Sequence, residues 1–196
     1  MKETKAHPNK KQVVFIRGAG GKEAYDEDAK LVASLQEELG ANYNVRYPHM
    51  LDDGDDAPDS EWLKQIGKEI AAIKNEVILV AHSVGASNLL KYFAENKVNH
   101  QIAGIFLIAA PFWGGDEGWQ YEGFTMPEDF PDHLPKNVAI FIYHNRDDEV
   151  VPFAHLALYV AKLPQAIVRE GAHGGHQFSN NLTQVALDIK NLKRLS

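Results

Sequence analysis

The chain contains no cysteine. That excludes disulfides, thiolate catalysis and Cys-ligated zinc, so a nucleophile or ligand set must come from other side chains. Positive charge is scarce: 20 Lys and Arg against 27 Asp and Glu leave a net charge of −7, with no basic cluster. No nucleic-acid surface is therefore expected. Long apolar runs are missing too. The longest are strand-sized, and Lys2, Lys5, Lys10 and Lys11 precede no apolar segment of signal length, so neither a secretion signal nor a membrane span is expected. No Pro/Gly/Ser linker and no solenoid-length repeat divides the sequence. These absences predict a single domain over residues 1–196, with residues 1–10 flexible and a cytoplasmic location.

What is present is ordinary for a globular protein. Hydrophobic residues make up 44% and charged residues 24% of 196 residues, enough to fill one core. Strand-like and helix-like segments alternate throughout. Short apolar runs at 12–17, 43–47, 76–81, 102–109, 138–143 and 166–169 read as strands. Helical spacing marks 25–39, with Leu31, Val32, Leu35 and Leu39 on one face and Gly40 at its end. Helices are also expected after Ser60 as N-cap, through Trp62, Ile66, Ile70 and Ile73, and over 87–96, 153–162 and 180–195. Six strands separated by helices predict a minimal, mostly parallel α/β sheet covered on both faces. In such sheets the ligand site lies beyond the strand C-termini.

The most telling of those ends is Ala81-His82-Ser83-Val84-Gly85. A serine between a buried strand and a helix sits on a sharp, strained turn, with its Oγ lifted clear and the next N–H at a helix N-terminus. The turn needs small residues two positions to either side, because a larger side chain would strike neighbouring backbone. Ala81 and Gly85 meet that need, and Ser83 becomes the candidate nucleophile.

A serine nucleophile requires a base and a carboxylate to hold that base in the right tautomer. After the fifth strand stand Asp147, Asp148 and Glu149, and after the sixth Gly174-Gly175-His176. Asp148 is preferred over Asp147 because the x-Val-Val-Pro after it resembles the pattern that follows this acid in α/β-hydrolases, and Glu149 reads as solvated surface. His176 is preferred over His173, because Gly174 and Gly175 let the backbone bend sharply before it. His82 is expected to support the serine turn, His144 to end a strand, and His155 to have no role. For the oxyanion, the Val84 N–H follows the nucleophile, and the Ala19 N–H, with Gly20 as second choice, comes from the loop after the first strand. That loop, Gly18-Ala19-Gly20-Gly21-Lys22, lacks both the Walker spacing and the dinucleotide G-x-G-x-x-G, so phosphate binding is not expected. Asp52-Asp53-Gly54-Asp55-Asp56 lacks the EF-hand continuation and reads as a solvated acidic loop. Neither a cofactor nor a metal is expected.

With these residues assembled, the sequence resembles the α/β-hydrolase superfamily. More narrowly it is similar to the small serine hydrolases related to retinoblastoma-binding protein nine and the bacterial YdeN proteins. The likeness rests on His82-Ser83-Val84-Gly85-Ala86, Gly115-Asp116-Glu117, Asp147-Asp148 with Pro152, and Gly175-His176. It implies an α/β-hydrolase fold with a Ser83–His176–Asp148 triad, no cofactor, and hydrolysis of a small ester, thioester or amide, carboxylesterase chemistry ahead of peptidase chemistry. Two departures are Ala81 for the usual glycine, and Arg17-Gly18 where many relatives have His-Gly. Residues 111–136, rich in aromatics, proline and glycine, form a short lid-like loop that either walls the pocket or packs down on the sheet. Two alternatives remain: a non-catalytic binding or scaffold protein on this fold, and an acyltransferase or perhydrolase with the same triad. A histidine base also predicts that activity falls on the acid side, through roughly pH 6 to 7.

Overall fold

The structure is a computed structural model that describes residues 10–50 and 60–192. Six strands form one sheet: β1 (Lys11–Ile16), β2 (Tyr43–Arg46), β3 (Val77–His82), β4 (Ile102–Ile108), β5 (Ala139–Asn145) and β6 (Ile167–Gly171). Their order is β2-β1-β3-β4-β5-β6, and all five pairings are parallel. Between them run α1 (Gly21–Leu39), α2 (Ser60–Ala71), α3 (Val84–Glu95), the short α4 (Phe130–His133), α5 (Ala154–Lys162) and α6 (Thr183–Lys190).

Parallel strands buried on both faces must be apolar at successive positions, since alternate side chains enter opposite layers. In β1, Val14 and Ile16 join the layer under α2, α3 and α5, where Ile66, Leu89, Phe93, Leu156 and Tyr159 pack. Val13 and Phe15 join the other layer with Leu31, Leu35 and Leu39 of α1 and Val185, Ala186 and Ile189 of α6. The β-branched run Val77–Val80 divides between the two layers in the same way.

Chain progression reverses between β1 and β3: β2 is laid to one side of β1, and every later strand to the other. A crevice opens above such a switch point, where the flanking loops part to opposite faces. Its walls here are the loop after β1 and the turn after β3. The expected segments are all present with small shifts. α1 starts four residues earlier than its apolar spacing suggests, because Gly20 (φ 117°) and Gly21 (φ 63°) complete the turn and the helix opens at once. α3 likewise begins at Val84, directly after the serine. Ser60 is the first helical residue of α2. α6 begins at Thr183, about three residues later than expected, and stops at Lys190 with Asn191 as its C-cap; the acidic loop 52–56, residues 1–9 and residues 193–196 lie outside the described residues.

Candidate active site

The turn after β3 has the strained geometry that its sequence predicts. Ser83 adopts φ 52° and ψ −130°, between a fully buried strand and the first turn of α3. A non-glycine residue at positive φ costs energy of the order of 1–3 kcal/mol. Close packing on both sides holds it there. A Cβ on Gly85 would stand 2.1 Å from the Arg17 carbonyl oxygen, so no side chain fits at that position. Ala81 is completely buried, and its single methyl group is accommodated.

The loop after β1 passes directly over the serine. A Cβ on Gly18 would lie 3.1 Å from Ser83 Cβ and 3.6 Å from Ser83 Oγ. Arg17 anchors this loop by donating to the Gly18 carbonyl (2.8 Å) while its guanidinium rests on the Trp62 ring. Ala19 therefore sits in a loop beside the nucleophile, and the Val84 N–H belongs to the first helical residue of α3, where amides lack intrahelical acceptors.

Asp148 and His176 meet. His176 Nδ1 lies 3.1 and 3.0 Å from the two Asp148 carboxylate oxygens, and both side chains are nearly inaccessible. A proton on Nδ1 leaves Nε2 bare as an acceptor, the tautomer that a general base requires. Asp148 Oδ1 also accepts the Val150 N–H (2.9 Å) and Val151 N–H (2.8 Å). Asp148 Oδ2 lies 3.2 Å from His144 Nε2, which also donates to the Val151 carbonyl. Burial works against the Asp148 charge, but the His144 and His176 hydrogen bonds and the Val151 N–H outweigh it, holding the carboxyl far below the usual range.

Asp147 does not touch His176. It accepts the N–H groups of Gly174 (3.1 Å) and Gly175 (2.9 Å) and so holds the bend that delivers the histidine. The two glycines adopt φ 132° and 59°, as the expected sharp turn requires. His173 is 89% exposed and 3.6 Å from Asp147, away from Asp148. Among the described residues Ser83 Oγ makes no hydrogen bond.

Several supporting residues were not legible in the sequence. Glu149, expected to be solvated surface, accepts the His176 backbone N–H (3.1 Å). Asn145 ends β5 and donates to the Gly175 carbonyl (2.9 Å). His155, expected to have no role, accepts the Phe112 N–H at Nδ1 and donates from Nε2 to Asp116 (2.8 Å), pinning the loop after β4 onto α5. His82 does support the serine turn. Its Nδ1 is 2.9 Å from Asp28 Oδ1, and its Nε2 3.1 Å from the His176 carbonyl. Asp28 is a carboxylate in register with Leu31 and Leu35 on the apolar stripe of α1, and that misplaced charge was the available signal.

The aromatic segment 111–126 packs downward. Trp113 stacks on Phe124 (4.6 Å) and donates to Ser87 of α3 (3.0 Å), while Phe112 meets Tyr159 edge-on. No group of three or more His, Asp or Glu among the described residues is placed to hold a metal ion. Nor, among them, is any helix long and apolar enough to cross a membrane.

A parallel sheet with a strained serine at the switch point and a carboxylate–histidine pair at neighbouring strand ends defines the class of α/β-hydrolase folds. Within that class the sequence profile of the serine hydrolases matches residues 27–183, and the chain belongs to that family. Its fold is similar to that of the ydeN gene product of B. subtilis, with TM-score 0.67, 19% identity, and coverage of 93% of this chain and 98% of the other. Est1E from Butyrivibrio proteoclasticus superposes with TM-score 0.67 at 15% identity, over 95% of this chain and 88% of the other. The esterase Pf2001 of Pyrococcus furiosus gives 0.69 at 13% identity, over 93% and 83%. No curated protein matches the sequence at a significant level.

Proposed function

We propose that this serine hydrolase is an esterase for small carboxylic esters, working through an acyl-enzyme on Ser83. The observation that carries the reading is the His176–Asp148 pair, with Nδ1 directed at the carboxylate, on a loop that meets the serine turn through His82. His176 Nε2 takes the Ser83 proton as Oγ attacks the ester carbonyl. The tetrahedral oxyanion is received by the N–H groups of Val84 and Ala19. Collapse expels the alcohol, which takes its proton from His176, and leaves the acyl group on Ser83. Water, deprotonated by His176, then attacks the acyl-enzyme; the acid leaves and Ser83 recovers its proton. Asp148 stays ionised throughout and keeps the imidazole oriented. No step calls for a metal or cofactor.

Esters are favoured over amides because two structural neighbours are named as esterases, Pf2001 of Pyrococcus furiosus and EaEST of Exiguobacterium antarcticum. The connection from β4 to β5 carries only two short helical turns, Glu122–Phe124 and Phe130–His133, which favours small substrates. The proposed setting is the cytoplasm. The test is hydrolysis of p-nitrophenyl acetate and butyrate with pre-steady-state sampling. A burst of p-nitrophenol equal to the enzyme concentration, with product acid following more slowly, supports an acyl-enzyme. Absence of turnover on all short-chain esters and thioesters would transfer the reading to a binding protein on a hydrolase fold. Acyl release accelerated by added alcohol or peroxide would make the protein an acyltransferase or perhydrolase.

A further inference from the structure

Next to the Asp148–His176 pair lies a second carboxylate–histidine couple that the reaction above leaves unused. Asp28 and His82 are each 1% exposed, and the His82 ring lies 4.7 Å from the His176 ring, centroid to centroid. Each Asp28 oxygen faces donors only. Oδ2 accepts the Gly18 N–H (2.8 Å) and lies 3.1 Å from His82 Nδ1; Oδ1 accepts Gln177 Nε2 (3.2 Å) and lies 2.9 Å from His82 Nδ1. Each His82 nitrogen faces an acceptor only: Nδ1 the carboxylate, and Nε2 the His176 carbonyl at 3.1 Å. A neutral imidazole has one donor and one acceptor nitrogen and cannot satisfy both sides. With Asp28 ionised, as the Gly18 N–H and Gln177 Nε2 that it accepts favour, the geometry calls for a proton on each His82 nitrogen.

Through these bonds one couple reaches three segments: Gly18 in the loop carrying the proposed oxyanion donor, His82 in the serine turn, and His176 with Gln177 in the base loop. We propose that Asp28 and His82 act as a positioning couple, a permanently ionised pair that fixes the oxyanion loop, the nucleophile and the base in one register. The inference rests on the triad reading above and extends it to two residues that touch no substrate.

The groups facing His82 are Asp28 from α1, the His176 ring and carbonyl from the loop after β6, and, at longer range, the Asp148 charge from the loop after β5. Burial disfavours the imidazolium, but the two carboxylates and the His176 carbonyl outweigh it and raise the His82 pKa. Burial likewise opposes ionisation of Asp28, and His82, the Gly18 N–H and Gln177 overcome it, so that its pKa falls. Both shifts favour the ion pair, whose charges are jointly neutral and hydrogen-bonded, as a buried pair must be.

The test has two arms. In the first, the full chain with 15N-labelled histidine is followed by NMR from pH 5 to pH 9. The couple predicts one histidine with protons on both ring nitrogens throughout, absent from His82→Gln. A His82 carrying a single ring proton at pH 7 overturns the proposal. This arm needs no turnover, so it judges the couple even where the ester-hydrolysis test overturns the triad reading. The second arm compares Asp28→Asn, His82→Gln and the double variant by acylation rate and KM on p-nitrophenyl acetate, with melting followed in parallel. Each single change should lower kcat about 10- to 100-fold with KM within about threefold, and the double variant should be no worse than about threefold below the slower single. Changes in kcat under twofold, or losses that multiply in the double variant, would overturn it. Should Asp28→Asn fail to fold, His82→Gln and the NMR arm decide.

Discussion

The loops bearing Asp148 and His176 and the segment 111–126 both line up at the strand C-termini, yet they are held by different forces. In the first, hydrogen bonds fix residue after residue: Asp147 on Gly174 and Gly175, Asn145 on the Gly175 carbonyl, Glu149 on the His176 N–H, and His82 on the His176 carbonyl. In the second, Trp113, Trp119, Phe124 and Tyr121 lean on one another as stacked, tilted or edge-on rings. Its polar anchors to the rest of the fold are the His155 bonds to Phe112 and Asp116, the Trp113 bond to Ser87, and the bonds that Tyr159 and Lys91 donate to the Pro111 and Thr125 carbonyls. Hydrogen bonds are directional and set positions to fractions of an ångström; ring packing is broad and yields to substitution. Proton transfer needs the first kind of support, and a pocket wall can work with the second.

The contrast is broken most severely at Asp148. Asp148→Asn removes the charge that orients His176 and should lower kcat by about 10³- to 10⁴-fold with KM nearly unchanged. Asp147→Asn keeps that charge and loosens only the glycine turn, so steady-state kinetics should show a loss nearer tenfold. If the two losses came out in reverse, Asp147 would be the acid of the triad.

A perturbation of the aromatic segment should register as stability rather than chemistry. Trp113→Ala removes two ring contacts and the Ser87 hydrogen bond; at a half-buried site this costs about 2 kcal/mol, read by urea denaturation. Its kcat should stay within about fivefold of wild type. A loss comparable to that of Asp148→Asn would show that the segment positions reacting groups after all.

The gentlest probe is acid. Asp148 and Asp28 are held below the ordinary carboxylate range by their histidine and amide partners. A depressed folded pKa means that their stabilisation is fully present above about pH 4 and is lost as pH falls through the folded values. Melting temperature should thus decline below pH 4, between about pH 4 and pH 2, more steeply in wild type than in Asp148→Asn. Equal slopes would mean that Asp148 is not held as described.

How much of this was legible in the sequence follows the same division. Strands such as Val77–His82 announce themselves because burial on both faces demands a continuous run of apolar residues. Ser83 and Gly85 were readable because the strained turn excludes larger neighbours, and Asp148 and His176 because they follow strands in the chain order that this fold imposes. The hydrogen bonds that brace these residues were not readable. Asp28 and Gln177 are 149 residues apart, and Asp116 and His155 39 apart, so no local spacing reports those contacts. Only Asp28 left a trace, as a charge within the apolar stripe of α1. Glu149 looked like surface because its side chain is exposed while its carboxylate still reaches the His176 backbone.

The most direct test of the central claim is labelling with a fluorophosphonate followed by peptide mapping, with Ser83→Ala in parallel. One adduct per chain, located on Ser83 and absent from the folded variant, is the predicted result, because only a serine paired with a working base attacks phosphorus at a useful rate. A folded wild-type chain that takes no label, or takes it on another residue, would contradict the account.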